Sequence, residues 1–280
     1  MRQSLTWALP GFVLAFLFMI VACATTPYTG RTQLILISPH QESALGASAF
    51  QQLRAEQKVS DDPTLQALVE RIGWRIAKVA DMPEAEWEFV VFDEPKTVNA
   101  FALPGGKVGV FTGILPVAGT EGGLAAIMSH EVAHVIARHG GERLSQGILA
   151  QLGAVALQVG MAGSDPTVVR SVMTAYGLGA QVGVLLPYGR LQESEADRIG
   201  LLLMAKAGYD PHEAVSLWER MARLDGARPP EFLSTHPAPA RRIQELEALL
   251  PNALTFYQPS PEQVNESTRL LPGVKAQDTN

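Results

Sequence analysis

The fold of this chain is decided by the stretch Ser129-His130-Glu131-Val132-Ala133-His134-Val135-Ile136, which contains the pattern His-Glu-x-x-His. From Leu124 to Ile136 the remaining residues are mostly apolar at helical spacing, without Pro or Gly, which predicts a buried helix. Residues four apart lie on one face of a helix, so His130 and His134 can hold one metal ion between their rings. Glu131 lies about 100° further round the helix, where it can reach a water molecule on that metal without being a ligand.

A second motif, Glu193-Ser194-Glu195-Ala196-Asp197, also lies on a predicted helix. Glu193 can supply a third ligand, and Asp197, one turn later, can accept a hydrogen bond from a ligand histidine and fix its tautomer. Zinc suits two imidazoles and one carboxylate, and a catalytic zinc site leaves a position open for water. Taken alone, these acids could also form the solvated face of a surface helix. Next to His-Glu-x-x-His, the metal-site interpretation is favoured.

These motifs together resemble those of the membrane-associated zinc endopeptidases of the HtpX, BepA, LoiP and CaaX prenyl protease lineage, which are gluzincin-type metallopeptidases. The resemblance covers roughly residues 27 to 250. It implies a zincin-like metalloprotease domain with one Zn²⁺ per chain. It also implies that the third ligand is Glu193 rather than Glu195, and it includes the pair Arg138-His139 after the first motif, with His139 in a supporting position.

The resemblance extends to two further stretches. Asn99, Ala100, Phe101 and Ala102, before Pro104-Gly105-Gly106, look like the family's substrate-flanking strand and turn. Ser234-Thr235-His236-Pro237, followed by Arg242, looks like its C-terminal His-Pro motif.

His236 is therefore expected to face the zinc. As a neutral imidazole it could take the fourth zinc position; turned away and protonated, it could stabilise the oxyanion. A helix-capping histidine far from the metal is the structural alternative.

Composition limits the other classes of function. With 280 residues, 47% of them hydrophobic, the chain can bury a sizeable core. Its net charge is −6 and it contains no run of Lys and Arg, so a nucleic-acid partner is not expected. The single cysteine excludes an intrachain disulfide bond.

The first 22 residues read as an export signal, with Arg2 followed by an uncharged, mostly apolar run from Leu5 to Ala22. Ile20-Val21-Ala22-Cys23 resembles a bacterial lipobox, in which the cysteine is acylated and becomes the first residue. An ordinary cleavage after Ala24 and an uncleaved anchor are the alternatives. The lipobox interpretation predicts a lipoprotein anchored in the bilayer through Cys23, with Ala24 favouring the periplasmic face of the outer membrane of a Gram-negative bacterium.

The rest of the chain predicts a mainly helical α+β fold with a small sheet beside the active-site helix. Residues 23–37 are expected to form a tether and a first strand, 38–250 the metallopeptidase domain, and 251–280 a loose tail. Within the domain, Asp62-Pro63 marks a helix start, and two apolar runs flanking Pro104-Gly105-Gly106 predict a hairpin. An edge strand there would offer its backbone to an extended peptide, although an ordinary structural hairpin has the same sequence pattern.

Residues 147–163 and 172–187 are uncharged and rich in small and apolar residues. They are expected to form a buried helical pair beside the active-site helix, or alternatively a surface that touches the membrane or another subunit.

We therefore expect a zinc endopeptidase in which Glu131 is the general base. The resemblance implies unfolded or misassembled envelope proteins as substrates, and an oligomer is compatible with the sequence. A zinc-stabilised chaperone with little turnover would keep the same ligands but would not need Glu131, and a purely structural lipoprotein would bind no zinc.

Overall fold

The computed structural model of the chain describes residues 23–181, 185–224, 232, 236 and 239–274. Within them the chain is mainly helical with two small sheets, which confirms the predicted fold class. The strands are β1 (Cys23–Thr25), β2 (Thr32–Leu34), β3 (Glu88–Phe92), β4 (Ala100–Leu103) and β5 (Lys107–Phe111). The helices are α1 (Pro39–Glu56), α2 (Pro63–Val79), α3 (Leu115–Ala118), α4 (Glu121–Ile136), α5 (His139–Gly160), α6 (Pro166–Ala180), α7 (Leu186–Lys206), α8 (His212–Leu224), α9 (Pro239–Leu254) and α10 (Pro261–Ser267).

Contacts divide the chain into two compact units, where the sequence predicts one continuous domain over 38–250. The larger unit consists of residues 40–137 and 188–280, and the smaller of residues 1–39 and 138–187. Local sequence patterns do not reveal this division, because it depends on which distant segments pack together.

The core of the larger unit forms around helix α4, which is buried over its whole length. Thr120 caps its first turn by accepting a hydrogen bond from the Gly123 backbone. Helix α2 begins as predicted, with Asp62 accepting hydrogen bonds at its N-terminus and Pro63 in its first turn. It buries an apolar stripe of Leu68, Val69, Ile72 and Ile76 in the same core.

The three-stranded sheet has the order β3-β5-β4. Strands β4 and β5 form the predicted antiparallel hairpin, and β3 runs parallel to β5. The turn between β4 and β5 contains Gly105 and Gly106 at φ 88° and 87°, a region that favours glycine. Among the described residues β3 and β4 are the two edge strands of this sheet, and β4 packs beside α4. The small sheet beside the active-site helix is therefore present.

The C-terminal segment differs from the predicted loose tail. Residues 251–254 complete α9, and residues 261–267 form α10, which begins with a capping box at Ser260 and Gln263. Leu271 is buried, and its backbone N–H donates to Gly119. The polar composition suggested disorder, but a few apolar anchors are enough to dock the segment as far as residue 274.

In the smaller unit, residues 23–34 form a β-hairpin rather than a tether. Strand β1, which was not predicted, pairs antiparallel with β2, and Tyr28 and Gly30 occupy the left-handed region in the turn at φ 66° and 70°. The predicted export signal lies outside the described residues.

The expectation of a buried helical pair over residues 147–187 is wrong. Both helices form, but α6 contains no buried residue, and the buried residues of α5 end at Ser145. An uncharged composition indicates that a segment prefers apolar surroundings, but it does not show whether the protein core provides them. Burial inside the protein therefore does not follow from the composition. None of the helices in the described residues combines the length and hydropathy needed to span a membrane.

Candidate metal centre

Helix α4 brings the two motif histidines together as the spacing predicts. The His130 and His134 rings lie one turn apart, with their Nε2 atoms 3.1 Å from each other. Both residues are buried, so any metal between them is shielded from bulk solvent.

Helix α7 supplies the carboxylate opposite these rings. The two carboxylate oxygens of Glu193 lie 3.4 Å from His130 Nε2 and 3.4 Å from His134 Nε2. Glu195 is also buried but does not belong to the group of side chains that could share a metal. The structure therefore brings together the two histidines and Glu193.

Helices α4 and α7 approach closely at Gly200. A Cβ atom at this position would lie 3.0 Å from both the Cα and the N of His130. A side chain here would require the His130 backbone to move, so Gly200 permits the short distance between the helix with the histidines and the helix with Glu193.

The donor set fits zinc. Zinc–ligand distances of about 2.0–2.1 Å in a tetrahedral site place neighbouring ligand atoms about 3.3 Å apart. The two Nε2 atoms lie 3.1 Å apart, and each lies 3.4 Å from one of the two Glu193 oxygens, close to this separation. Nitrogen and carboxylate ligands in a buried pocket are those that zinc prefers.

A buried pair of charges holds His130 in place. Asp197 Oδ1 lies 3.1 Å from His130 Nδ1, and the guanidinium of Arg242 donates to both carboxylate oxygens of Asp197. A carboxylate at Nδ1 keeps a proton on that nitrogen and leaves Nε2 to face the metal. Arg242 also donates to Glu193 Oε2 at 3.1 Å, so one guanidinium orients both carboxylates.

The pKa values follow from these contacts. Burial alone would raise the pKa of Asp197, but the Arg242 charge and the His130 hydrogen bond lower it to about 2. Burial and the Arg242 charge lower the pKa of His130, but hydrogen bonds to Asp197 and Glu193 outweigh them and raise it to about 9. Burial alone would raise the pKa of Glu193, and the hydrogen bond to His130 lowers it. A metal binds the deprotonated imidazole nitrogen, so metal binding at His130 opposes this rise in its pKa.

His236 lies beside the cluster rather than at a distant helix cap. Its Nε2 is 3.9 Å from Glu193 Oε2, and its donor atom belongs with those of His130, His134 and Glu193 to a set within 4.8 Å of one another. Burial and the nearby His130 charge lower the pKa of His236 to about 3, so the ring is neutral at neutral pH. The other residues of the motif, 234, 235 and 237, lie outside the described residues.

Glu131 lies on the same side as His236. Its Oε1 is 3.3 Å from His236 Nε2, and the residue is 6% exposed. Glu131 is therefore near the donor cluster without being one of the four residues that form it.

Two aromatic residues at the site were not predicted. The Arg242 guanidinium lies 3.7 Å from the centre of the Trp218 ring, and Phe232 stacks on His236 with ring centres 4.4 Å apart. The Trp218 and Phe232 rings are in turn 6.0 Å apart. The contact between the Arg242 guanidinium and the face of the Trp218 ring is a cation–π interaction, which stabilises the position of the guanidinium. No local pattern distinguishes Trp218 from an ordinary core residue of α8.

The other predicted site residues are placed as follows. His139 is in the smaller unit, where it is fully buried at the first residue of α5.

Asn99 lies directly before β4, and Ala100 is buried against the main core. Phe101 packs into an aromatic cluster with Phe50, Phe92 and Phe111, so its ring serves the core. Ala102 is partly buried.

Comparison with known proteins places these motifs in context. Peptidase family M48 matches residues 63–250 of this chain. The chain is 39% identical over 233 residues to the mitochondrial metalloendopeptidase OMA1 of Schizosaccharomyces pombe, covering 81% of this chain and 66% of that protein. It is 34% identical over 271 residues to the protein of the same name in Saccharomyces cerevisiae, covering 87% of this chain and 74% of that one.

A bacterial relative is also similar. The β-barrel assembly-enhancing protease of Escherichia coli strain K12 is 29% identical over 231 residues. The aligned region covers 79% of this chain but 46% of that protein, so this chain spans less than half of its length.

Proposed function

Because the chain belongs to peptidase family M48 and is a zinc metalloendopeptidase, we propose that it cleaves unfolded or misassembled proteins of a bacterial cell envelope. The observation that carries the catalytic part of this proposal is the approach of two imidazoles and one carboxylate to within 3.1 to 3.4 Å of one another.

In this proposal His130, His134 and Glu193 hold the zinc. When bound there, zinc polarises the scissile carbonyl and lowers the pKa of a water molecule. The Glu131 carboxylate accepts a proton from the attacking water and delivers it to the leaving amine. Its position beside the donor cluster, buried and not one of the donors, supports this role.

Asp197 and Arg242 position the first ligand. Asp197 holds the proton on His130 Nδ1, and Arg242 neutralises the charge of the buried Asp197. Partners of this kind commonly change metal affinity or activity about 10–100-fold when removed.

His236 is assigned the fourth donor position. Its ring is neutral and lies within reach of the other three donors. Occupying that position would exclude the attacking water, so movement of the ring would control access to the site.

Strand β4 is the proposed binding edge for the substrate backbone. It is one of the two edge strands of its sheet among the described residues and packs beside the helix that carries Glu131. Main-chain hydrogen bonds to an extended peptide give affinity with loose sequence selectivity, as degradation of unfolded chains requires. Because Ala100 is buried and Phe101 packs in the aromatic cluster, the backbone rather than these side chains would make the contact.

The envelope location is proposed from the first 23 residues and the similarity to the E. coli protease. The apolar run and the sequence Ile20-Val21-Ala22-Cys23 favour export and acylation of Cys23. Cys23 is exposed at the start of β1, where an acyl chain could be attached. Several relatives are named as mitochondrial, so the compartment needs its own test. Intact-mass measurement of the mature chain should show lipid on Cys23, and an unmodified chain starting at Thr25 would contradict the anchor.

The activity is tested with the purified full chain and unfolded casein. We expect cleavage that stops when a chelator removes the metal and returns when zinc is added back. Cleavage unaffected by a chelator that has removed all measurable zinc would overturn the proposal. Zinc binding without any cleavage of casein or of unfolded envelope proteins would instead favour a zinc-stabilised chaperone, although Glu131 argues against that function.

A further inference from the structure

The helices α5 and α6 in the smaller unit expose an unusual amount of apolar surface. Eight large hydrophobic residues in this unit are more than 40% exposed between residues 144 and 186. They are Leu144, Leu149, Leu152, Val155, Val159, Val168, Leu178 and Leu186. A soluble protein seldom leaves so many apolar side chains on one supersecondary element, so this surface calls for a partner.

Much of this surface forms a single line along α5. The α5 stripe, as we define it, consists of Leu144, Ile148, Leu152, Val155 and Val159, at spacings of four, four, three and four. At about 100° per residue these five positions fall within about 80° of the helix circumference. Four of them are 42% to 70% exposed, and Ile148 is half-buried. The stripe extends over about 22 Å of the helix.

The segment that forms helices α5 and α6 is also nearly without charge. Between Leu144 and Gly189 the charged residues are Asp165 and Arg170. They lie at the start of α6 and are exposed. The helices are nevertheless a defined pair, because Tyr176 Oη donates to the Ala150 carbonyl at 3.0 Å and Gly153 leaves room for its ring.

The N-terminal segment indicates which partner covers this surface. Residues 5–22 are the apolar run of the predicted export signal, and it ends directly before β1. The β1–β2 hairpin is tied to the first turns of α5 within the same unit. Arg31 donates two hydrogen bonds to Glu142, at 2.7 and 2.8 Å, and the Leu36 backbone N–H donates to Ser145 Oγ at 2.8 Å.

This connection fixes where a membrane would be. If Cys23 is acylated or residues 5–22 remain as an anchor, the chain leaves the bilayer at residue 23, whereas ordinary cleavage after Ala24 would leave no anchor. That residue belongs to the unit whose helix α5 carries the stripe.

We propose that the α5 stripe lies in the interface of the lipid bilayer that holds the N-terminus, with α6 packed on the other side of α5 against Ala150 and Gly153. The helix lies along the surface rather than crossing it, in agreement with the absence of a spanning helix among the described residues. The proposal concerns attachment and does not depend on the peptidase activity.

The test places a fluorescent probe on the stripe. In the anchored chain with Cys23 acylated and its thiol therefore blocked, Leu152→Cys introduces a single free thiol for a polarity-sensitive dye. The matched control is Gln52→Cys, on an exposed position of α1 in the larger unit. Both chains are reconstituted in vesicles of phosphatidylethanolamine and phosphatidylglycerol that carry a quencher on the acyl chains.

We expect blue-shifted, lipid-quenched emission from the dye at position 152 and water-like emission from the dye at position 52. A dye at position 152 that stays in water while the chain is bound to vesicles would overturn the proposal. A dye that is shielded from water but not quenched by lipid, and that cross-links to a second copy, would assign the surface to self-association instead.

A charge on the stripe gives an independent measurement. With the dye on Val155→Cys, the additional change Leu152→Glu should lower the embedded-to-aqueous ratio about tenfold, equivalent to about 1.4 kcal/mol. Gln158→Glu makes the same charge change on the same helix outside the stripe and should leave the ratio unchanged. Leu152 is 59% exposed, so folding should survive, and thermal melting checks this. Equal ratios in both variants would contradict the proposal.

Discussion

At the scale of single residues, the site depends on buried charges that hold one another in place. His130, Asp197 and Arg242 form a chain of contacts in which Arg242 keeps Asp197 ionised and Asp197 accepts from His130 Nδ1. Such a network stabilises the site only when every member has its partner, because a buried charge without one is costly. Glu131 differs from these residues because its proposed task is to gain and lose a proton.

The change Glu131→Gln tests that task. The amide has the same shape as the carboxylate but cannot accept the proton, so we expect the rate of peptide cleavage to fall about 10²–10⁴-fold. Zinc content should stay the same, because the proposed ligands are untouched. Peptide hydrolysis and metal analysis on one preparation are the measurements, and near-normal cleavage by the zinc-loaded variant would exclude Glu131 as the base.

Glu193→Ala should act on the metal instead. The site then keeps only imidazole donors and loses its one charged ligand, so zinc affinity should fall by more than the roughly 10–100-fold typical of losing an outer partner. Glu195→Ala is the matched control, since Glu195 is equally buried on the same helix but outside the donor cluster. Competition with a zinc-binding dye measures both variants. Loss of zinc from Glu195→Ala but not from Glu193→Ala would reassign the ligand.

His236→Ala is expected to raise the basal rate of cleavage. The neutral ring is proposed to occupy the position that the attacking water needs, so only molecules with the ring turned away are active. Removing the ring should raise the rate by a factor equal to the inverse of the fraction of molecules in that open state. The measurement is cleavage at equal zinc loading. A lower rate with zinc still bound would show that the ring assists the reaction.

At the scale of elements, the site requires α4 and α7 to be close and correctly aligned. The motif histidines lie on α4 and the carboxylate lies on α7. The backbone hydrogen bonds within each helix do not set the distance between the two helices. Gly200 permits this approach, because its missing Cβ leaves room for the His130 backbone. A glycine inside a helix normally costs about 0.5–1 kcal/mol relative to alanine, so its presence here is consistent with a packing requirement.

Gly200→Ala should therefore weaken both folding and zinc binding. The new methyl group would meet backbone atoms at 3.0 Å, and overpacking of this kind costs about 1–3 kcal/mol. Gly189→Ala is the control, because a Cβ at Gly189 on the same helix has nothing within 4 Å. Thermal melting and zinc affinity are measured for both. A stabilised Gly200→Ala chain with normal zinc affinity would show that the helices do not need this contact.

At the scale of the whole molecule, a bound metal would connect segments that are far apart in the sequence. The donors come from residues 130, 134, 193 and 236, so one ion would cross-link α4, α7 and the segment before α9. Binding that occurs only in the folded state stabilises it by mass action, by about 4.1 kcal/mol when free zinc is a thousand times its dissociation constant.

Removing the metal should consequently lower the melting temperature of the wild-type chain. The same decrease is expected for Glu131→Gln, which keeps the ligands, and little or none for Glu193→Ala, which has no metal to lose. Calorimetry with and without chelator measures this. A wild-type melting temperature that does not respond to complete removal of zinc would contradict a metal that links these segments.

Several features follow from the sequence alone, because they depend on neighbours in the chain. Four-residue spacing places His130 and His134 on one helix face, Asp62-Pro63 begins α2, and Gly105-Gly106 joins β4 to β5. The family resemblance adds Glu193 and Arg242, and the structure brings both to the histidines.

Other features were decided only by the tertiary structure. Trp218 under Arg242, Phe232 on His236 and the close approach at Gly200 depend on residues that meet from distant parts of the chain. The docked segment up to residue 274 and the exposed helices α5 and α6 are further examples. A local pattern states whether a segment prefers an apolar or a polar neighbour. The pattern does not state which neighbour covers the segment, because that depends on how all segments share the available apolar surface. In α5 and α6 the described residues leave much of the apolar surface uncovered.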